Sequence, residues 1–328
     1  MSGYHERWDI AFAHPLTGWI AALVIAILLL GALIIGLLQV AGRLSPEMRR
    51  ELWLRLGSWS LLAPAMGLPI LAGRLWVIVA VTLLGLACFR EYSRATGLFR
   101  ERFVSFFVVL GIFAVNLASA DHWYAFFMAL IPLSCGCIAV ASIPFDHPQG
   151  YVQRVALGLF AFFLFGAALA HLGYMANDAN YRPLLLLLLL AVGLNDVVAY
   201  VVGKTLGGPK LLPHTSPNKT FSGAVGALVL TTGLVAMLAR PIFVGTAMDD
   251  GLKLVGLGAI VSVAGQLGDL MLSSIKRDIG IKDMGVAIPG HGGILDRFNS
   301  LLLVAPSVFH YVGYFVGFGL DQPTRVWF

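Results

Sequence analysis

Charge is scarce in this sequence. Asp, Glu, Lys and Arg make up 12% of its 328 residues, against about 25% in an average soluble domain. So few charges cannot cover a water-facing surface, which excludes a soluble globule of this size. Cysteine is scarcer still. Cys88, Cys135 and Cys137 all sit in apolar stretches, and Cys135-Gly-Cys137 lacks the spacing of a zinc pair. Buried, inert thiols are expected. Internal repeats, low-complexity stretches and long linkers are missing too, so residues 1–328 are read as one integral-membrane domain. The net charge of +5 does not point to nucleic acid, because the basic residues are not interleaved with aromatics on a polar face.

What the chain has instead is apolar length. Hydrophobic residues reach 59% and the mean hydropathy is +0.86. Apolar runs recur at 17–40, 58–73, 75–89, 103–120, 123–143, 152–176, 183–202, 222–239, 252–273 and 298–319. About 20 apolar residues span a bilayer core, so these runs predict an all-α polytopic transmembrane bundle of about ten spans. The first run carries no charge and no small-residue cleavage site follows it, which reads as a retained helix and not a signal peptide. The runs 58–73 and 75–89 are short. They are expected as two tight spans around Gly73-Arg74 or as a re-entrant hairpin, with Arg74 snorkelling at the outer edge. Ahead of them, Ser45-Pro46-Glu47 is a helix-start signal. The mixed Arg, Leu and Trp that follow predict an interfacial amphipathic helix near 45–57.

Lys and Arg concentrate after the first, third, seventh and ninth runs and before the sixth. By the positive-inside rule those loops are cytoplasmic and both termini lie outside. A bacterial inner (cytoplasmic) membrane, with the chemistry on its cytoplasmic face, is the expected location.

Ionisable residues within or beside spans mark function by default. Gln266, Asp269, Ser273 and Lys276 recur at i, i+3, i+7 and i+10, one face of a helix. After them comes a polar, Gly-rich segment with Lys282-Asp283 and Pro289-Gly290-His291-Gly292-Gly293, whose amides are expected to converge on an anion. Asp296, Arg297 and Asn299 then open the last run. A second cluster, Asn195-Asp196 and the loop Ser216-Pro217-Asn218-Lys219, closes the seventh. Carboxylates for a hard cation, Lys and Arg for phosphates, and glycine turns suit Mg²⁺-assisted phosphoryl or nucleotidyl transfer. His171, His214 and His310 have no such context and are read as structural or interfacial.

The segment SSIKRDIGIKDMGVAIPGHGGILDRFNS resembles the signature of phosphatidate cytidylyltransferases (CDP-diacylglycerol synthases). Ser273, Lys276-Arg277, Lys282-Asp283, Pro289, His291-Gly292-Gly293 and Asp296-Arg297 fall in its register. NDVVAYVVGK, LLPHTSPNKTFSG and QLGDLMLSSIKR are also similar to that family, so the likeness covers roughly 180 to 310, the expected catalytic core. It implies that CTP and phosphatidic acid give CDP-diacylglycerol and pyrophosphate, in phospholipid biosynthesis. Under that resemblance Asp269, Asp296 and Asn299 hold Mg²⁺, with a second cation left open. Lys276, Arg277, Lys282, Asp283, His291 and Arg297 form the catalytic set. Asn195, Asp196, Ser216, Lys219, Ser273, Gly292 and Gly293 bind substrate.

One position departs: the signature ends on an acid where this chain has Asn299. Asn still offers an oxygen, but a neutral one, which weakens the expected hold on a divalent cation. A different lipid phosphate stays open as substrate. So do two other classes: a transporter, which would carry repeats and midplane charges, and a CTP-dependent lipid kinase, which would need a base for its hydroxyl. A homodimer is also left open.

Overall fold

The computed structural model describes residues 8–146, 148–288 and 292–318. Among these, nine helices are long and apolar enough to cross a membrane. They are α1 Pro15–Val40, α2 Pro46–Ala72, α3 Arg74–Thr96, α4 Arg102–Ala120, α5 Tyr124–Val140, α6 Tyr151–Met175, α7 Tyr181–Leu206, α8 Phe221–Phe243 and α9 Gly251–Asp278. A helical turn, Leu295–Phe298, leads into the 15-residue α10, Leu301–Phe315. The polytopic all-α bundle expected from the apolar runs is what forms. Its one paired strand element among the described residues is a hairpin, β1 Lys210–Leu212 with β2 Ser216–Thr220, between α7 and α8.

Near the start of the chain one expectation is corrected and one open alternative is decided. Ser45 does cap a helix, its Oγ accepting the Met48 N–H at 3.2 Å with Pro46 following. That helix does not stop at the membrane edge, however. Pro46–Ala72 is a single element that absorbs both the predicted interfacial helix and the short run 58–73. At 1.5 Å per residue its 27 residues extend about 40 Å, so its Arg- and Glu-bearing first turns stand clear of the apolar core. The run 75–89 likewise belongs to the 23-residue α3, so these are two full helices and no re-entrant hairpin. Hydropathy breaks at charges; backbone hydrogen bonding does not. Arg74 sits at the turn between these two helices. Its guanidinium donates to Asn177 Oδ1 at 2.7 Å and to the Ala120 carbonyl at 3.3 Å, tying α3 to α4 and to the α6–α7 turn.

Contacts between distant loops sort the helix ends into two groups. At one end His14 meets the Pro241 carbonyl, Asn177 donates to Ser119, and Asn180 to Ile242. At the other, Arg154 pairs with Glu101, Arg277 reaches Thr215 and Lys276 meets Asp296. The chain therefore passes back and forth ten times, counting α10. The candidate residues for chemistry that lie among the described residues gather at or near the second, Lys/Arg-rich end.

α3 to α6 enclose an aromatic core in which Tyr92, Phe127, Phe162, Phe165 and Tyr174 are buried, and Phe309 of α10 packs into it, edge-on to Tyr174. α7, α8, α9 and α10 pack in succession beside it. Two close approaches fix this second half. A Cβ on Gly203 or Gly223 would strike Thr220 Oγ1, at 2.6 and 3.1 Å, so α7 and α8 meet backbone to backbone beside the hairpin. On α9, a Cβ on Gly268 would lie 2.7 Å from the Asn299 carbonyl oxygen. Only glycine lets the last span come so near.

Candidate active site

The Gly268 contact brings the next residue, Asp269, against the turn that opens the last span. Asp269 Oδ1 accepts a hydrogen bond from Asn299 Nδ2 at 2.6 Å. Its Oδ2 pairs with Lys219 Nζ at 2.5 Å, both side chains about a quarter exposed. Lys219 arrives from β2, which the Thr220 cap of α8 anchors: Thr220 Oγ1 accepts the Gly223 N–H at 3.2 Å. Asp196, on α7, completes the group. It feels the charges of Asp269, Lys219 and Arg297, is exposed, and takes no hydrogen bond from any described residue. Asp196 therefore shares one charged neighbourhood with Asp269, Lys219 and Arg297.

A second group adjoins the first. Lys276 Nζ donates to Asp296 Oδ1 at 2.8 Å. Asp296 Oδ2 accepts the backbone N–H groups of Met284 and Gly293, each at 2.9 Å. With its side chain 3% exposed, Asp296 is fully engaged inside the loop. Asp283 lies beside Gly292, whose φ is 82°, a left-handed value that glycine adopts without strain. Arg277 reaches the Thr215 and Ile281 carbonyls at 3.4 Å, bridging the loop to the hairpin. Lys282 and Arg297 are exposed on this rim, while Ser216 and Ser273 are half-buried. His291, with Pro289 and Gly290, lies outside the described residues.

Several predicted residues thus take unexpected positions. Asn195 is 1% exposed. Its Oδ1 accepts from Thr231 at 3.0 Å and Ser262 at 2.7 Å, joining α7, α8 and α9 below the cleft. Asn299, expected to turn an oxygen to a cation, turns its N–H to Asp269 and its Oδ1 to the Ser300 N–H at 2.7 Å. The Gly293 N–H, expected to face an anion, is held by Asp296. Glu91 was not singled out from sequence at all, yet it accepts the Ile294 and Leu295 N–H groups at 2.9 and 2.8 Å. The available signal was an acid among the arginines 90 and 94, within two turns of a span's charged end.

Beside this loop an apolar cavity of about 240 Å³ runs between α2, α3, α7 and α10. Leu62, Met66, Val81 and Leu185 line it, and Ile294 and Phe298 close it against the turn that carries Asp296. The charged cluster thus lies on one side of the turn and the apolar cavity on the other.

The sequence model of the Cytidylyltransferase family matches residues 53–315, and the chain belongs to that family of nucleotidyltransferases. A similar protein is YnbB of Escherichia coli K12, itself uncharacterized, at 28% identity over 278 residues, 83% of this chain and 91% of that one. Phosphatidate cytidylyltransferases of Staphylococcus aureus (strain COL) and Staphylococcus haemolyticus are 42% and 40% identical over 149 residues. That match covers 44% of this chain and 56% of theirs, so the chain aligns with little more than half the length of either enzyme.

Proposed function

We propose that the protein transfers the cytidylyl group of CTP to the phosphate of phosphatidic acid, releasing pyrophosphate and forming CDP-diacylglycerol for phospholipid synthesis. The observation that carries this reading is the pairing of the Asp196–Asp269–Lys219–Arg297 cleft with the apolar cavity behind Ile294 and Phe298. The S. aureus relative is named for this reaction. In the reaction a lipid-phosphate oxygen attacks the α-phosphorus of CTP as the bond to pyrophosphate breaks. The nucleophile is already an anion, so no general base is needed. The barrier lies in bringing anions together and stabilising the leaving group. Lys219, Lys282, Arg297 and Arg277 supply the positive charge around the cleft. Lys276 acts with Asp296 to hold the loop.

Mg²⁺ suits the donor set. Among the described residues no three His, Cys, Asp or Glu side chains form a metal cage. Mg²⁺, however, is held by one or two carboxylates together with substrate phosphates. Asp196, which has no hydrogen-bond partner among the described residues, and Asp269 beside it are the two that would hold the ion. Asp269 is itself paired with Asn299 and Lys219, but its side chain is about a quarter exposed. Asp296, by contrast, is 3% exposed and bound by two backbone N–H groups, and the Asn299 oxygen accepts the Ser300 N–H. Bound there, the ion supplies positive charge between phosphate groups that would otherwise repel. In the cell, the Lys/Arg-rich end faces the cytoplasm across the inner membrane, where CTP meets lipid headgroups.

The test is to follow two labels with purified protein, Mg²⁺ and vesicles containing phosphatidic acid. Label from the α-phosphate of CTP should enter lipid, and label from the γ-phosphate should leave as pyrophosphate. γ-Label in lipid would mean a kinase. Hydrolysis to CMP or CDP with unlabelled lipid would exclude transfer altogether.

A further inference from the structure

The turn that carries Asp296, Arg297 and Asn299 has no side-chain cap of its own. Its leading amides are instead taken by a carboxylate from a span some two hundred residues earlier: Glu91 Oε1 accepts the Ile294 N–H at 2.9 Å and Oε2 the Leu295 N–H at 2.8 Å. A carboxylate facing the N–H end of a helical turn makes charge-assisted bonds, stronger than neutral ones. The loop makes room for it on two sides. A Cβ on Gly285 would sit 2.6 Å from Glu91 Oε1, and one on Gly293 would overlap the same carboxylate. Together with Asp296, which takes the Met284 and Gly293 amides, Glu91 binds four backbone N–H groups on both limbs of the glycine loop. Asp296 belongs to the segment it braces, whereas Glu91 reaches it from α3.

We infer that Glu91 is a positioning residue. By anchoring the loop to α3, it sets where the turn presents Arg297 to Asp196 and Asn299 to Asp269. The inference rests on the cytidylyl-transfer reading for its kinetic consequence, but not for its structural one. Nothing places Glu91 against substrate; it acts through the backbone. Glu91→Gln keeps the shape but replaces one acceptor with an NH₂ that faces an N–H. Glu91→Asp keeps both oxygens on a shorter stem.

The experiment combines hydrogen–deuterium exchange on the full chain with steady-state kinetics. Glu91→Gln should speed amide exchange in peptides covering 292–299 while α8 exchanges as in the wild type. A displacement of about an ångström at a reacting group costs up to about a hundredfold, so kcat should fall about ten- to a hundredfold. The KM for CTP should stay within about twofold, because binding common to ground and transition states is untouched. Glu91→Asp should recover part of kcat. Unchanged exchange at 292–299 in Glu91→Gln would overturn the inference. So would faster exchange throughout the bundle, or a raised KM with unchanged kcat. If the wild-type protein transfers no label, the functional reading falls, and the exchange comparison still decides the role of Glu91.

Discussion

Asn299 Nδ2 donates to Asp269 Oδ1 at 2.6 Å beside the close approach of α9 to the last span at Gly268. The family signature has an acid at the position of Asn299. An acid there would place two carboxylates within hydrogen-bond distance, tolerable only with a proton or a cation between them. Here Asn299 stands at that position as a neutral donor to Asp269.

Asn299→Asp should therefore convert a hydrogen bond into a demand for metal. Without divalent ions the variant should melt below the wild type, and millimolar Mg²⁺ should restore it. The Mg²⁺ concentration for half-maximal transfer should drop by about tenfold, the gain expected from about 1.4 kcal/mol of added attraction. Thermal unfolding in detergent with and without chelator measures the first effect, and a Mg²⁺ titration of the initial rate the second. Equal responses in both proteins would remove Asn299 from the metal's surroundings.

Asp269→Asn should reduce transfer by at least about a hundredfold, the scale of a lost electrostatic group in a preorganised site. It should leave Lys219, which pairs with Asp269 at 2.5 Å, facing a neutral amide. The initial rate at saturating CTP, measured against the melting temperature, separates a chemical role from a folding defect.

How much of this was legible in the residues themselves depends on the kind of interaction. The spans were, because apolar length is a local property and the bilayer fixes the length required. Asp196, Lys219 and Asp269 stood out as charges at the ends of spans, and the structure brings them together. Spacing could not reveal which carboxylates were already engaged. Asp296 looks like a ligand in sequence, but its partners are the backbone amides of Met284 and Gly293, which have no side-chain signature. Asn195 looks like a cleft residue, yet it faces Thr231 and Ser262, two unremarkable hydroxyls on neighbouring helices. Glu91 was hidden for the same reason. Its partners are amides 203 and 204 positions away.

Asp296→Ala should be the most destabilising single change in the site. It leaves Lys276 and two backbone N–H groups without an acceptor in a place 3% exposed. Breaking a buried pair costs about 3–5 kcal/mol, and activity should disappear with the loop's order. Chemical denaturation in detergent checks this. A variant as stable as the wild type would mean that Asp296 faces substrate and not the loop.

Gly268→Ala adds one methyl group where the Asn299 carbonyl oxygen lies 2.7 Å away. Overpacking of this kind costs about 1–3 kcal/mol. Moving α9 from the last span also lengthens the Asp269–Asn299 bond. The melting temperature should fall and transfer should drop further than stability alone accounts for. Gly36→Ala, where nothing lies within 4 Å of the added carbon, is the control and should leave both unchanged.

The most direct test of the central claim is the identity of the product. Purified protein, CTP, Mg²⁺ and phosphatidic acid of one defined acyl composition are incubated together, and the lipid extract is weighed by mass spectrometry beside an assay for pyrophosphate. The account predicts a lipid heavier by one cytidylyl unit, with one pyrophosphate released per lipid converted, and neither product with Asp269→Asn. Lipid that gains a single phosphate, or lipid unchanged while CTP is hydrolysed, would contradict it.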